Sequence, residues 1–513
     1  MADHPRAEAL PEDRLNALLR RADWRFLLSG EDAPLVANLL DGESPRIANL
    51  TGRDDSRAIE LIAAPGKPGT GEADVTVIGF PTRRTLSSAL EATRPGGHVV
   101  CLWRLPRPLA TRRATARMRS AGLCQVRAFW AGPLPHRPPQ FWLDLDSKAA
   151  TTGLLAQRPP GGAVQAALRP LWRACSRIGL LAPLVVIGRT PGAEEPRDEI
   201  DATLPVEGGR LLLTGGKRSI NKVVGFPFGE DGEAPEKIVK FARVAVADAA
   251  LEREAAVLRA VERDHPDVPG VPRLLAEGRR AGRHALAESA VHGEPLLGAL
   301  TEENFGELAT RVGDWLAGLA GNAPSPRDEW WPRLVGERLT EFERNFRSVV
   351  TADLVAELRR RLEQLGELPG ACEHRDCSPW NVVLDREGAP GLHDWESSEP
   401  HGLPGLDLTY FLANCAFILD GALDSGRTRE TYTCLLDPTT PHGTVATTAA
   451  ERYRAATGIS TADYARLRLL CWLIHTASDH QHLTMAAAGA PSPEALRQSS
   501  FLGLLETELS ENP

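Results

Sequence analysis

Along the first third of the chain, short runs of apolar and β-branched residues alternate with stretches whose apolar positions recur at helical spacing. RIANL (46–50), AIELIAAP (58–65), DVTVIGF (74–80), HVVCLWRL (98–105), CQVRAFWA (124–131) and APLVVIG (182–188) predict strands, while TRRTLSSALEAT (82–93) and TRRATARMRSAG (111–122) predict helices between them. Strand and helix in turn predict a parallel α/β sheet. The rhythm stops at GRTPGAEEPRDEIDATLP (188–205), where Pro, Gly and acids replace apolar periodicity and an interdomain linker is expected. Beyond it the pattern changes to a β-rich block and then a mainly helical remainder. The expected divisions are residues 1–190, a linker over 191–205, a smaller β-rich lobe over 206–292 and a helical lobe over 293–513.

Size agrees with several domains, since 513 residues exceed one ordinary core. A net charge of -9 and a pI near 5.9 argue against a nucleic-acid partner, which would need clustered Lys and Arg. The paired arginines Arg83–Arg84 and Arg112–Arg113 read as solvated helix faces. The 8 cysteines include no CxxC pair, so neither a zinc site nor a disulfide framework is indicated. The N-terminus MADHPRAEALPEDRL lacks the apolar stretch of a signal peptide, and IGLLAPLVVIG is too short to span a bilayer. These features predict a cytoplasmic protein without membrane contact and leave its oligomeric state open.

The second half carries the chemistry. HRDCSPWN (374–381) places an Asp and an Asn five positions apart, a spacing that lets one loop offer Asp376 to a hydroxyl and Asn381 to a metal. VVLDREGAPGLHDWE (382–396) predicts two short strands around a Glu-Gly turn and delivers Asp394 from a strand end as the main metal carboxylate. Upstream, EKIVKFAR (236–243) predicts a strand with Lys240, and ALEREAAVLRAVER (250–263) a helix with Glu254. Such a Lys–Glu pair would fix the lysine against donor phosphates. GRLLLTGG (209–216) predicts a strand whose Gly215 and Gly216 permit close backbone approach to an anion. Singly, each residue has a bland reading: an HxD turn, an edge-strand lysine, a solvated helix glutamate. Their order along the chain is what specifies phosphoryl transfer.

From about residue 208 to 500 the chain resembles the aminoglycoside phosphotransferase and choline kinase family, relatives of the protein kinases. HRDCSPWNVVLD resembles its HGDxxPxNxxxD loop, and GLHDWESSEPHGLPGLDLTYFLA its xIDWExxxxGxPxxDLA segment. The resemblance implies an α+β bilobal protein-kinase-like fold. It also implies Asp376 as catalytic base, Asn381 and Asp394 as Mg2+ ligands, and Lys240 on the phosphates of ATP with Glu254 as its partner. Ser219 and Asn221 resemble the Ser and Asn of the family's phosphate loop. Glu288 to Val291 would be the hinge that reads the nucleotide base through backbone groups. Arg375 stands where the family usually has Gly, and His393 where it has an apolar residue. Asp407 is expected to hold the loop or cap a helix, and His374 and Cys377 to pack. Glu396 and Glu399 are candidates for binding a cationic acceptor, with surface charge as their default. Trp330 and Trp331 are expected to pack between helices.

The N-terminal half resembles, more faintly, a class I methyltransferase over residues ~20–190, through EADVTVIGFPTRRTLSSALEATRPGGHVVCLWR (72–104). RIANLTGRDDSR (46–57) has only Gly52 where that family has a GxGxG turn, and ELIAAPG (60–66) lacks the expected ribose-binding acid. A Rossmann-like α/β domain with a degenerate cofactor site is therefore expected. The activity implied is transfer of the γ-phosphate of ATP to a hydroxyl of an amino sugar, sugar, nucleoside or amino alcohol. The alternatives are a nucleotide-binding pseudokinase scaffold and a bifunctional methyltransferase-kinase.

Overall fold

A computed structural model of the chain describes residues 10, 12–28, 34–40, 53–64, 68–103, 109–132, 137–151, 184–192, 209–215, 222–228, 234–487 and 490–511. RIANL, most of the expected linker, Gly216, Ser219 and Asn221 lie outside these residues. Internal contacts divide the chain into Met1–Glu252 with Leu274–Ala290, and Arg253–Arg273 with Val291–Pro513.

The first unit is organised by one 11-stranded sheet of order β1-β2-β3-β6-β4-β5-β7-β8-β9-β11-β10. Its strands are β1 (Val36–Asn38), β2 (Ala73–Ile78), β3 (Thr93–Trp103), β4 (Cys124–Gly132), β5 (Phe141–Asp144), β6 (Leu184–Arg189), β7 (Gly209–Leu213), β8 (Lys222–Phe228), β9 (Lys237–Ala242), β10 (Leu274–Arg280) and β11 (Arg283–Ser289). Strands from both sides of the expected linker share this sheet, because β5 pairs antiparallel with β7 from Phe141↔Leu213 to Leu143↔Leu211.

The helices of this unit are α1 (Glu12–Arg21), α2 (Arg53–Ile62), α3 (Arg83–Ala92) and α4 (Ala110–Ser120), and α5 (Ala245–Asp264) begins in it. The expected strand 58–65 is instead the end of α2. Ala58, Ile59 and Ile62 share its buried face while Arg57 and Glu60 face solvent, and Asp54 and Asp55 suit the positive end of its dipole. α3 forms as expected, opened by a reciprocal Thr82–Thr85 capping box and burying Leu86 and Ala89.

The expectation of a parallel sheet needs a larger correction. Only β1, β2 and β3 are mutually parallel neighbours; β6 runs antiparallel to both β3 and β4, and β5 to β4. Residues 133–140 are too short a connection for a parallel crossover, so the chain returns antiparallel from β4 to β5.

One apolar cluster spans the sheet, joining Trp24 and Phe26 to Val75, Val100, Phe129, Trp142, Leu212, Val239 and Phe241. Phe26 stacks on Phe241 with ring centroids 5.1 Å apart. The segment that follows α1 is thus part of the core under β9.

The second unit is mainly helical. α6 (Phe305–Ala317), α7 (Leu406–Leu419), α8 (Thr461–Ala487) and α9 (Ser500–Glu511) are among its helices. Two small sheets complete it: β12 (Glu294–Pro295), β15 (Val382–Leu384) and β16 (Pro390–Leu392); and β13 (Ala320–Ser325), β14 (Leu368–Glu373) and β17 (Glu399–Gly402). β15 and β16 form the expected hairpin, with Asp385 Oδ1 accepting from the N–H groups of Glu387 and Ala389 at 3.0 and 2.7 Å. Gly270, at φ +76°, lies against β16 so closely that a Cβ would meet the Pro390 carbonyl at 2.4 Å. Its own carbonyl accepts from Leu392 N–H at 2.9 Å. No helix of the described residues is long and apolar enough to cross a membrane.

Phe26→Ala removes a side chain with 1 % exposure and should lower stability by about 3–5 kcal/mol in urea unfolding of the full chain. A loss below about 1 kcal/mol would show that this segment is not core.

Candidate active site

The loop His374–Asn381 leaves β14 and is gripped from below by α7. Asp407, in the first turn of α7, accepts the backbone N–H of His374 through Oδ2 and that of Arg375 through Oδ1, both at 2.7 Å. Burial, then the neighbouring charge of Glu373, pushes the Asp407 carboxyl up to about 7 against the pull of these two N–H groups and of Arg375. Asp407 therefore holds the loop, as its place in the sequence led one to expect. His374 is buried edge-on against Trp395, its Nε2 3.2 Å from the His393 carbonyl, and its Nδ1 accepts the Asp376 N–H at 3.3 Å. Cys377 is fully buried, and burial raises its thiol well above the usual range, so it packs without reacting.

Arg375 has φ 64°, a left-handed conformation that glycine adopts without strain and arginine does not. Its side chain compensates. Nε donates to Glu373 Oε2 at 2.8 Å, and Nη2 lies 4.0 Å from Glu399 Oε2. Burial works against the guanidinium charge, but the charge of Glu373 and its hydrogen bond outweigh burial and raise the pKa. Glu373, 2 % exposed, also accepts the Leu403 N–H and fills the space where a Cβ on Gly402 would stand. Glu373 went unnoticed in the sequence. Its only signal was a carboxylate ending an otherwise uncharged strand, LPGACE (368–373).

Above this support, Asn381 Nδ2 donates to both the carbonyl and Oδ2 of Asp376, each at 2.9 Å. The five-residue spacing therefore closes one loop around two oxygen-bearing side chains. Asn381 N–H donates to the Ser378 carbonyl at 2.9 Å, and its carbonyl accepts from His393 N–H at 3.2 Å, which ties the loop to the end of β16. Asp394 follows at φ 76° and ψ 62°, the left-handed turn before the short 3-10 helix Trp395–Ser397. Glu254 on α5 accepts the backbone N–H of Trp395 at 3.0 Å, fixing the peptide that leaves Asp394. That contact assigns Glu254 a supporting role that its helical position alone did not reveal.

In the first unit, Lys240 lies on β9 opposite Leu286, and Glu288 lies two residues along β11 on the same face. Lys240 Nζ meets Glu288 Oε1 at 2.8 Å, with both side chains buried. Ala290 N–H, within the expected hinge, donates to the Glu236 carbonyl at 2.8 Å. Gly215 ends the turn after β7 with φ +81°.

An oxygen-rich loop closed by a buried Asp, beside a hairpin that supplies a second acid, is the arrangement expected of a phosphotransferase. Residues 228–470 match the model of the phosphotransferase enzyme family. The resemblance expected from the loop and hairpin motifs holds over this region. A search of curated proteins gives no significant match. Among solved structures, aminoglycoside phosphotransferase APH(3'')-Id from Streptomyces rimosus is similar at 21% identity, covering 49% of this chain and 89% of that one with TM-score 0.33. Aminoglycoside phosphotransferase APH(4)-Ia is similar at 14% identity, covering 58% of this chain and 92% of that one with TM-score 0.36.

The acids downstream of the His374–Asn381 loop are partly spoken for. Glu399 Oε2 lies 2.7 Å from Arg333 Nη1 as well as near Arg375, so its charge is matched within the fold. Trp330 is 1 % exposed and donates from Nε1 to the Ser325 carbonyl at 3.2 Å, while Trp331 carries the Arg327 guanidinium 4.4 Å from its ring. Trp380 is 40 % exposed and stands directly before Asn381.

Two outcomes follow from this network. Arg375→Gly should be milder than Arg375→Ala by about 0.5–1 kcal/mol in thermal unfolding, since both lose Glu373 but only Ala keeps the strained φ. For Asp407, the native carboxyl titrates near pH 7 and an unfolded one near 4, so the native state binds the extra proton between them. The resulting stability is present below about pH 4 and lost as pH rises to about 7, by up to about 1.4 kcal/mol per pH unit. The stability difference between wild type and Asp407→Asn should fall over that window, and a flat difference would refute the assignment.

Proposed function

We propose that the protein transfers the γ-phosphate of ATP to a hydroxyl of a small molecule such as an amino sugar, sugar, nucleoside or amino alcohol. The observation that carries this reading is the Asp376–Asn381 pair, held 2.9 Å apart on a loop whose backbone Asp407 fixes. Asp376 accepts or orients the acceptor hydroxyl proton as general base. The Asn381 amide turns its Nδ2 to Asp376, so its Oδ1 is the atom suited to a cation. Asn381 Oδ1 and the Asp394 carboxylate are hard oxygen donors that fit Mg2+, and they would hold it. Bound there, the ion would supply charge neutralisation on the phosphates.

Lys240 is the residue for the donor phosphates, and its buried pairing with Glu288 supports a fixed, charged ammonium. Glu254 supports the Asp394 turn through Trp395. Gly215, with Gly216, Ser219 and Asn221, is assigned to the phosphate loop, and Glu288 to Val291 to the hinge. The matching of Glu399 by arginines disfavours that side chain as the receptor of a cationic acceptor. The N-terminal strands serve as scaffold in this reading, without a cofactor of their own.

A phosphate-transfer assay over a panel of small alcohols tests the proposal. Asp376→Ala should retain Mg2+-dependent nucleotide binding and lose about 10²–10⁴-fold in transfer. Nucleotide binding with no transfer by the wild type to any alcohol would instead favour a scaffold.

A further inference from the structure

The matched phosphotransferase residues begin at 228, yet the strand that bears Lys240 is completed by residues far upstream. Arg243, directly after β9, is fully buried and makes one side-chain network. Its Nε donates to Asp23 Oδ1 and Oδ2 at 3.1 and 3.2 Å, and its Nη2 lies 3.0 Å from Asp23 Oδ2. Nη1 reaches Asn16 Oδ1 at 3.4 Å, and Nη2 donates to the carbonyl of Thr214 at 2.7 Å. Arg25 returns the contact, donating from Nη2 to the Arg243 carbonyl at 2.8 Å. Thr214 is the residue immediately before Gly215. One guanidinium thus ties α1 and the short helix Asp23–Leu27 to the glycine turn and to the end of the lysine strand.

Strand alternation gives this clamp a direction. Phe241 faces Phe26 and the core, whereas its neighbour Lys240 faces the opposite side with Glu288. Residues 12–28 therefore seal one face of β9 while the other carries the lysine. Arg210 and Arg280 add to the attachment by donating to the carbonyls of Leu27 and Leu28 at 3.0 and 2.7 Å.

A buried Arg–Asp pair is not by itself stabilising, because both charges lose water. Its value here lies in geometry: a planar guanidinium with several donors sets the separation between three backbone segments, which a lysine could not do. We propose that Asp23 and Arg243 are positioning residues for nucleotide binding, holding the Thr214–Gly215 turn in register with the Lys240 strand. The inference rests on the phosphotransferase reading of that turn and that lysine, and it assigns the N-terminal segment a part in the activity.

The test uses the full chain and titrates a non-hydrolysable ATP analogue with Mg2+, alongside thermal unfolding. Arg243→Lys keeps the charge but cannot span Asp23 and Thr214, and should weaken nucleotide affinity about tenfold. Asp23→Asn, which keeps the shape and one acceptor, should weaken it less and decides the matter if Arg243→Lys does not fold. The control is Arg127→Lys, at a partly buried pair of the same sheet where Arg127 Nη1 meets the buried Asp144 Oδ2 at 2.7 Å; it should lower the melting temperature and leave affinity as in wild type. Lowered melting temperatures with wild-type affinity in both clamp variants would overturn the proposal. Failure of the wild type to bind the analogue would overturn the phosphotransferase reading and this inference with it.

Discussion

The two hydrogen bonds that Asp407 accepts from the His374 and Arg375 N–H groups are the constraint on which the candidate active-site loop depends. They come from the first turn of α7, an almost wholly buried helix, so the loop is referenced to the packed interior of its unit. Capturing two successive N–H groups forces the chain to turn at Arg375, which explains its left-handed φ. That turn in turn carries Asp376 toward Asn381. The cost is a buried carboxylate and a strained arginine; Glu373 offsets the second while raising the first. A functional loop thus keeps its shape through neighbouring groups that are individually unfavourable.

The first unit follows a different logic. One sheet runs from the parallel strands β1–β3 to the lysine-bearing strand β9, with a single apolar cluster along one face. Every strand after β3 pairs antiparallel with its neighbours in this sheet. Strand pairing extends a sheet edge wherever N–H and C=O groups would otherwise lie open, so β5 meeting β7 joins sequence segments of different character without either edge being left uncovered. The family match beginning at residue 228 therefore falls inside a structural unit, not at its border.

Much of the loop chemistry could be read directly. HRDCSPWN and the hairpin after it are local: their spacing sets which side chains share one turn, and the Asp376–Asn381 contact follows from five residues of chain. The strands 74–78, 98–103 and 184–189 and the helices Arg83–Ala92 and Ala110–Ser120 were equally legible, because each carries its own periodicity or cap. AIELIAAP was misread because a short apolar run fits a strand and one helix face alike, and only packing chooses between them. Glu373 could not be found in advance, since nothing local marks a carboxylate as buried.

By itself the sequence determined which candidate groups lie on the loop and hairpin and in what order, because Asp376, Asn381 and Asp394 sit at fixed local spacings. Tertiary structure decided what holds them: that Lys240 meets Glu288 across two strands, that Glu254 fixes the turn after Asp394, and that Arg243 reaches back to Asp23. Those pairings join residues tens to hundreds of positions apart. They are settled by register and burial, where a charge must find whichever partner the fold brings within reach. No local pattern in the chain encodes that choice.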